Sequence, residues 1–279
     1  MEQGTNNSKL SLFIAEFGGT TIFLVAIFFT VFYQTDALII AFGVGGGLFV
    51  AIMIFGKETG GHFNPAVSTG YYFWFVREKK RYLKNFIVLV SAQFLGGLFA
   101  GLLLFATSAQ IPILLPDKNN VLGSVFDEII FTFIFLLVIF CVKSRYTTPT
   151  KDGVLGALTV SMTLCFTVIY GRKISGACYN PAVGLALNLW AAGANNDAAY
   201  LQYLYLYVFA PLFGGLLSGA AVKFYLNKRI LNALKEEEDA EAVKRSCDEY
   251  YMNNIDEVGT GDDLKKQELN ATAKAEAIN

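Results

Sequence analysis

The sequence predicts an all-α membrane protein of six transmembrane helices and two re-entrant half-helices, arranged as an inverted repeat. Three observations carry that prediction. The 279-residue chain is 54% hydrophobic and only 16% charged, where a soluble domain carries roughly a quarter charged residues. Six apolar stretches, at about 10–33, 37–56, 83–107, 125–143, 153–171 and 203–226, each approach the ~20 residues that cross a bilayer. The tetrapeptide Asn-Pro-Ala-Val stands twice inside this apolar body, at 64–67 and at 180–183.

Charge falls at the ends and between the spans. Residues 1–8 are polar, 9–226 form the membrane domain, and 227–279 form a tail rich in Glu and Lys, read as part helical and part disordered. The first apolar run lacks a small-residue cleavage site, so it serves as its own targeting signal. Arg77, Lys79, Lys80, Arg81 and Lys84 lie between spans two and three, and Lys143, Arg145 and Lys151 between spans four and five. The alternate loops hold only Lys118 and the pair Arg172 and Lys173. By the positive-inside bias, both termini are cytoplasmic. Plasma and vacuolar membranes are not distinguished. Asn6-Asn7-Ser8 and Asn270-Ala271-Thr272 match the glycosylation sequon but fall on that cytoplasmic side, which leaves them unused.

The repeat shows on self-comparison. AEFGGTTIFLVAIFF (15–29) resembles DEIIFTFIFLLVIFC (127–141), and AQFLGGLFAG (92–101) resembles APLFGGLLSG (210–219). Glu16 thus pairs with Glu128, Asn64 with Asn180 and Gly96 with Gly214, at separations of 112, 116 and 118 residues. These collinear matches define halves at about 9–108 and 121–226. Each half has three spans, so the second must lie upside down relative to the first.

Asn-Pro-Ala is a helix start: Asn suits the N-cap and Pro the first helical position. The segments that follow, Ala66 to Phe75 and Ala182 to Trp190, are too short to span. Each is predicted to begin at mid-membrane, where irregular backbone survives only when buried in protein or lining a water-filled cavity. Two such starts entering from opposite faces bring the positive ends of their dipoles together. Their Asn amides then present donors to the lumen, which orients water and repels protons and cations.

Glu16 and Glu128 lie within apolar spans, where a carboxylate marks function. They are expected to accept hydrogen bonds from the backbone of the re-entrant loops. No buried Lys, Arg or second acid is expected beside either one, which disfavours a proton relay. His62, the single histidine, lies two residues before Asn64 and reads as a structural hydrogen bonder rather than a proton switch. Paired glycines such as Gly18/Gly19, Gly96/Gly97 and Gly214/Gly215 allow close helix approach. Tyr203, Tyr205 and Tyr207 read as a stripe facing lipid or a neighbouring subunit.

Chemistry of other kinds is absent from the pattern. Cys141, Cys165, Cys178 and Cys247 show neither a disulfide framework nor metal-ligand spacing. No nucleophile–base set, nucleotide loop or nucleic-acid-binding basic patch is present. The sequence therefore argues against an enzyme and calls for no cofactor or metal.

The two boxes Asn64-Pro65-Ala66 and Asn180-Pro181-Ala182, each after a Gly-containing loop, together with Glu16, Glu128 and Gln93, resemble the major intrinsic protein family of aquaporins and glycerol facilitators. The resemblance covers residues 9–226. It implies a right-handed bundle, a homotetramer in the bilayer with one pore per subunit, and water or small neutral solutes as cargo. It also implies a loop-supporting role for Glu16, Glu128, His62 and Gln93. Carried over by spacing from the boxes, the family's second constriction falls at Val44, Val168, Ala177 and Val183. Most members have Arg directly after the second box, often with a His and an aromatic residue; here the position is Val183. Some tonoplast members similarly have Ala and Val at the two loop positions.

An apolar ring offers few donors, so selectivity is expected to be relaxed: water together with ammonia, hydrogen peroxide, urea or small polyols. The alternative is a facilitator for such solutes with water incidental. Gly184 stands where dedicated glycerol facilitators carry Asp, and Tyr207 resembles the aromatic of water-type members. A junction protein using the fold as a scaffold ranks lower, because both boxes are intact. Arg172 is read as a solvated loop residue, with a place over the pore mouth as the alternative.

Overall fold

The computed structural model describes residues 8–76, 78–144 and 147–253, with residue 81 and several between 226 and 253 described by backbone alone. Its contacts divide the chain into two units, Met1–Leu226 and Asn227–Asn279. Both Asn-X-Ser/Thr sequons reach outside the described residues, as does the side chain of Cys247. Cys141, Cys165 and Cys178 are free thiols.

Among the described residues eight α-helices run in order: α1 (Lys9–Tyr33), α2 (Ala37–Thr59), α3 (Pro65–Phe75), α4 (Lys79–Ser108), α5 (Val121–Lys143), α6 (Gly153–Gly171), α7 (Pro181–Asn195) and α8 (Leu204–Asn253), with a 3₁₀ turn at Ala198–Leu201 before α8. Among the described residues six stretches are long and apolar enough to cross a membrane: α1, α2, Tyr82–Ser108 of α4, α5, α6 and Ala198–Tyr225. The half-helices α3 and α7, at 11 and 15 residues, are too short at 1.5 Å per residue to cross. The predicted all-α plan of six spans and two half-helices is what the chain adopts.

Side-chain caps start most of these helices. Ser8 accepts from Ser11 N, Asp36 from Leu38 N and Ile39 N, Asn120 from Gly123 N, and Asp152 from Val154 N and Leu155 N. Each meets amides that the first helical turn leaves without partners. Two helix ends run further than the apolar pattern suggests. α7 continues past Trp190 because Ala191, Ala192 and Ala194 sustain a helix until Asn196 turns left-handed at φ 50°. α4 begins at Lys79, since charged residues extend a helix readily once it leaves the apolar layer. α8 reaches Asn253 through a tail of strong helix formers.

The two halves are oppositely directed. The C-terminal end of α2, the C-terminal end of α5 and the N-terminal end of α6 line one vestibule. The N-terminal end of α2 and the C-terminal ends of α1 and α6 line the other. We call the first the N-face vestibule, for the face on which α1 begins, and the second the far vestibule. Equivalent helices α2 and α6 therefore run in opposite directions, which is the inverted repeat in coordinates.

Matched glycines hold matched crossings. A Cβ on Gly96 of α4 would stand 2.7 Å from the Phe17 carbonyl of α1, and one on Gly214 of α8 would stand 2.6 Å from the Ile129 carbonyl of α5. Backbone cannot yield as a flexible side chain does. Gly96→Val and Gly214→Val should each destabilise the fold by about 1–3 kcal/mol and lower the unfolding temperature in detergent to similar extents. A large effect from one and none from the other would show that the two crossings are not equivalent.

Candidate functional site

The two re-entrant loops share a sequence frame, Thr59-Gly-Gly-His-Phe-Asn64 and Ser175-Gly-Ala-Cys-Tyr-Asn180. They also share a backbone. Gly60 and Gly176 (φ 83° and 94°), Gly61 and Ala177 (63° and 57°), and Phe63 and Tyr179 (46° and 50°) are all left-handed. Ala177, Phe63 and Tyr179 carry a Cβ into that region at a cost of about 1–2 kcal/mol each. Such a backbone persists only where its surroundings fix it.

The buried glutamates supply that fixation. Glu16 Oε1 accepts from His62 N at 3.1 Å and Oε2 from Phe63 N at 2.9 Å. Gln93 Nε2 donates to Oε2 at 2.6 Å, and the Thr59 hydroxyl completes the set. Glu128 does the same on the other side: Oε1 accepts from Cys178 N at 2.8 Å and Oε2 from Tyr179 N at 2.7 Å. Ser175 Oγ donates to Glu128 Oε1 at 2.6 Å. Hydrogen bonds to an ionised acceptor contribute about 1.5–3 kcal/mol each, enough to offset the left-handed backbone.

At the tips, the Asn residues serve both loops at once. Asn64 Oδ1 accepts from Ala66 N at 2.8 Å and Asn180 Oδ1 from Ala182 N at 2.9 Å. Each amide then crosses to the opposite half. Asn64 Nδ2 donates to the Tyr179 carbonyl at 2.9 Å, and Asn180 Nδ2 donates to the Phe63 carbonyl at 3.0 Å. An amide has two N–H groups, so one of each fastens the partner loop and only the second is left for the lumen. Pro65, Ala66, Pro181 and Ala182 open the half-helices and line neither vestibule. Ala66 and Ala182 pack where glycine leaves room. A Cβ on Gly215 would lie 2.7 Å from the Ala66 carbonyl, and one on Gly97 would lie 3.0 Å from that of Ala182.

Beyond this shared core the halves differ. In the first, His62 Nδ1 and Ser68 Oγ are 3.0 Å apart, and Gln93 Nε2 also donates to Ser68 Oγ at 2.8 Å. In the second, Gln93 is replaced by Pro211, and the supporting groups come from elsewhere. Ser175 Oγ also lies 2.6 Å from Asp127 Oδ2. The Tyr179 hydroxyl reaches Asp127 Oδ2 and the Thr167 carbonyl at 3.2 Å each. The Tyr207 hydroxyl donates to the Ser175 carbonyl at 2.7 Å.

Two expectations are corrected here. Glu128 has a second acid beside it: Asp127 lies on the same Ser175 hydroxyl. Tyr207 is fully buried whereas Tyr205 is exposed, so the tyrosines form no single stripe. Thr59, Ser175 and Asp127 were not singled out from sequence, although Thr59 and Ser175 recur at the 116-residue separation of the boxes.

The space between the helices is divided at the tips of the loops. The N-face vestibule encloses about 930 Å³ and the far vestibule about 240 Å³. Phe23, Asn64 and Phe135 line both, so two rings and one amide mark the boundary between them. His62 opens on the N-face side, and Asn180 on the far side. Val44, Val168, Ala177 and Val183 all line the far vestibule. Arg172 and Lys173 line it too, and Arg172 Nη1 donates to the Thr35 carbonyl at 3.4 Å.

A family model described as Major intrinsic protein matches residues 4–222. A glycerol uptake facilitator protein-like 6 from Lactiplantibacillus plantarum is 29% identical over 216 residues, covering 74% of this chain and 94% of that protein. A probable aquaporin of TIP type from Medicago truncatula is 30% identical over 178 residues, covering 62% of this chain and 65% of that protein. The X-ray structure of the aquaglyceroporin from Plasmodium falciparum shares the fold with a TM-score of 0.67 at 24% identity, covering 77% of this chain and 96% of that one.

The carboxyl sets give a paired prediction. Ser175 has one hydroxyl hydrogen for two carboxyl oxygens. Asp127→Asn brings a donor of its own, and its stability in detergent should stay near that of the wild type. Glu128→Ala strands two buried backbone amides and should cost about 3–5 kcal/mol. Thermal unfolding monitored by size-exclusion chromatography separates the two. Equal losses would mean that Asp127 is as necessary to the loop as Glu128.

Proposed function

The chain belongs to the major intrinsic protein family, whose members are passive channels and not enzymes, and from that premise we propose that this integral multi-pass membrane protein conducts water with relaxed exclusion of other small neutral solutes. The observation that carries the reading is the far vestibule. Its residues at the four filter positions, Val44, Val168, Ala177 and Val183, are all apolar. A solute passing such a ring gives up hydrogen bonds without replacement, so the ring selects by size and polarity and not by donors. Water, ammonia, hydrogen peroxide, urea and small polyols fit that criterion. In this reading Asn64 and Asn180 are the polar step at the midplane, and Glu16, Glu128, His62 and Gln93 support the loops that carry them. The basic links between spans two and three and between spans four and five make the N-face the cytoplasmic one.

A reading as a solute facilitator with water incidental draws support from the similarity to the Lactiplantibacillus glycerol uptake facilitator protein-like 6, which spans almost the whole of that protein. Stopped-flow swelling of proteoliposomes decides between the two. An osmotic gradient measures water, and isotonic gradients of glycerol, urea and hydrogen peroxide measure solutes. Water permeability well above that of empty vesicles is expected. Fast solute entry with water at the empty-vesicle level would establish the second reading.

Val183→Arg introduces a charged, hydrogen-bonding side chain to a cavity of about 240 Å³. Glycerol and urea flux should fall roughly tenfold, a barrier increase of about 1.4 kcal/mol, and water flux by less. Unchanged solute flux in this variant would move the constriction elsewhere.

A further inference from the structure

Tyr179 directly precedes Asn180, and its side chain reaches both α5 and α6. The hydroxyl is 3.2 Å from Asp127 Oδ2 on α5 and 3.2 Å from the Thr167 carbonyl on α6. Asp127 Oδ2 is also 2.6 Å from Ser175 Oγ, and Ser175 Oγ accepts from Ala177 N at 3.0 Å. Asp127, Thr167, Ser175 and Tyr179 are all buried. Gly171, the last residue of α6, makes the room: a Cβ there would overlap the Tyr179 hydroxyl and stand 2.7 Å from Asp127 Oδ2.

This link ends beside the far constriction at two places. The Thr167 carbonyl belongs to the peptide that leads into Val168, and the amide held by Ser175 is that of Ala177 itself. Val168 and Ala177 both line the far vestibule. The main-chain carbonyl of Tyr179 is in turn the acceptor for Asn64 Nδ2. The other half of the repeat lacks the groups to build such a link. At the separations of 112 and 116 residues that relate the glutamates and the boxes, Asp127 corresponds to Ala15 and Tyr179 to Phe63. The first loop is therefore held by its glutamate without this carboxyl or this hydroxyl, and holding a loop does not by itself require them.

Resting on the reading of Val44, Val168, Ala177 and Val183 as the constriction, we propose that Asp127 and Tyr179 are positioning residues for its selectivity: the link through the Tyr179 hydroxyl to α6, and through Ser175 to Ala177, fixes the Val168 and Ala177 walls relative to each other. A ring without donors discriminates by size, and size discrimination requires walls that do not yield. Buried hydrogen bonds that join separate elements supply that rigidity. The hydroxyl of Tyr179 is the one atom that bridges the two helices, so its removal parts the walls without emptying the core.

The test compares the full-length wild type, Tyr179→Phe, Asp127→Asn and Val183→Arg in proteoliposomes. Glycerol and water permeability are measured on one preparation, corrected for empty vesicles and expressed as a ratio. The ratio does not depend on how much folded channel the vesicles hold, so a role confined to stability leaves it unmoved. Tyr179→Phe removes one oxygen and keeps the ring, and it should raise the glycerol-to-water ratio roughly threefold or more. Asp127→Asn should keep the wild-type ratio, because its amide donates to the Ser175 and Tyr179 oxygens and leaves their hydrogens for Glu128 and the Thr167 carbonyl. A Tyr179→Phe ratio equal to the wild type, while Val183→Arg shifts it, overturns the proposal and leaves the constriction where it is. An Asp127→Asn ratio displaced as far as that of Tyr179→Phe also overturns it. Solute flux untouched by Val183→Arg removes the constriction reading, and the proposal with it. Should Tyr179→Phe fail to fold, Gly171→Ala displaces the hydroxyl while keeping every polar group, and is read by the same criterion.

Discussion

Everything at the centre of this molecule depends on two buried carboxylates binding adjacent backbone amides. A chain that turns back at mid-membrane exposes N–H groups where no solvent can reach them, at a cost of several kcal/mol for each one left unmet. Glu16 meets His62 N and Phe63 N, and Glu128 meets Cys178 N and Tyr179 N. The same contacts fix Phe63 and Tyr179 in the left-handed region, which turns the following carbonyls toward the opposite loop. Those carbonyls are the acceptors for Asn180 Nδ2 and Asn64 Nδ2. The carboxylates therefore determine where the Asn amides go, although they line neither vestibule themselves.

Reciprocity makes the arrangement cooperative. Each half-helix start is completed by its own Asn Oδ1 and fastened by the amide of the other half. Each is also packed against a glycine from the third span of the opposite repeat: Gly215 against Ala66, and Gly97 against Ala182. Neither loop can take up its position without the other. The two halves need not, however, use the same supporting residues. Gln93 and Ser68 brace the first loop, and Ser175, Asp127 and Tyr207 the second. What the repeat retains is the pair of amides on each carboxylate and the hydroxyl five positions before each Asn.

Much of this was legible in the sequence, and the reasons for what was not are physical. Apolar length gave six spans, because a bilayer imposes a length that no soluble environment does. Asn-Pro identified two helix starts because Pro lacks the amide that a helix N-terminus leaves unused. The hydroxyls of Thr59 and Ser175 were readable from the same repeat but look ordinary within a loop. Tyr203, Tyr205 and Tyr207 were read as a stripe, yet residues two apart on an α-helix lie about 200° apart around the axis, so only Tyr207 turns inward. Asp127 was invisible for a different reason: hydropathy records that a charge interrupts a span, not which side of the helix it leaves from.

The apolar constriction proposed for the far side leaves cation exclusion to other parts of the chain. On that reading a ring of Val and Ala lacks the electrostatic barrier that an Arg there would provide, and Asn64 and Asn180 have already given one N–H each to the opposite loop. A barrier to cations then rests on the dipoles of α3 and α7, each equivalent to roughly half an elementary charge at its N-terminus, which the crossed bonds of Asn64 and Asn180 hold against each other at the loop tips.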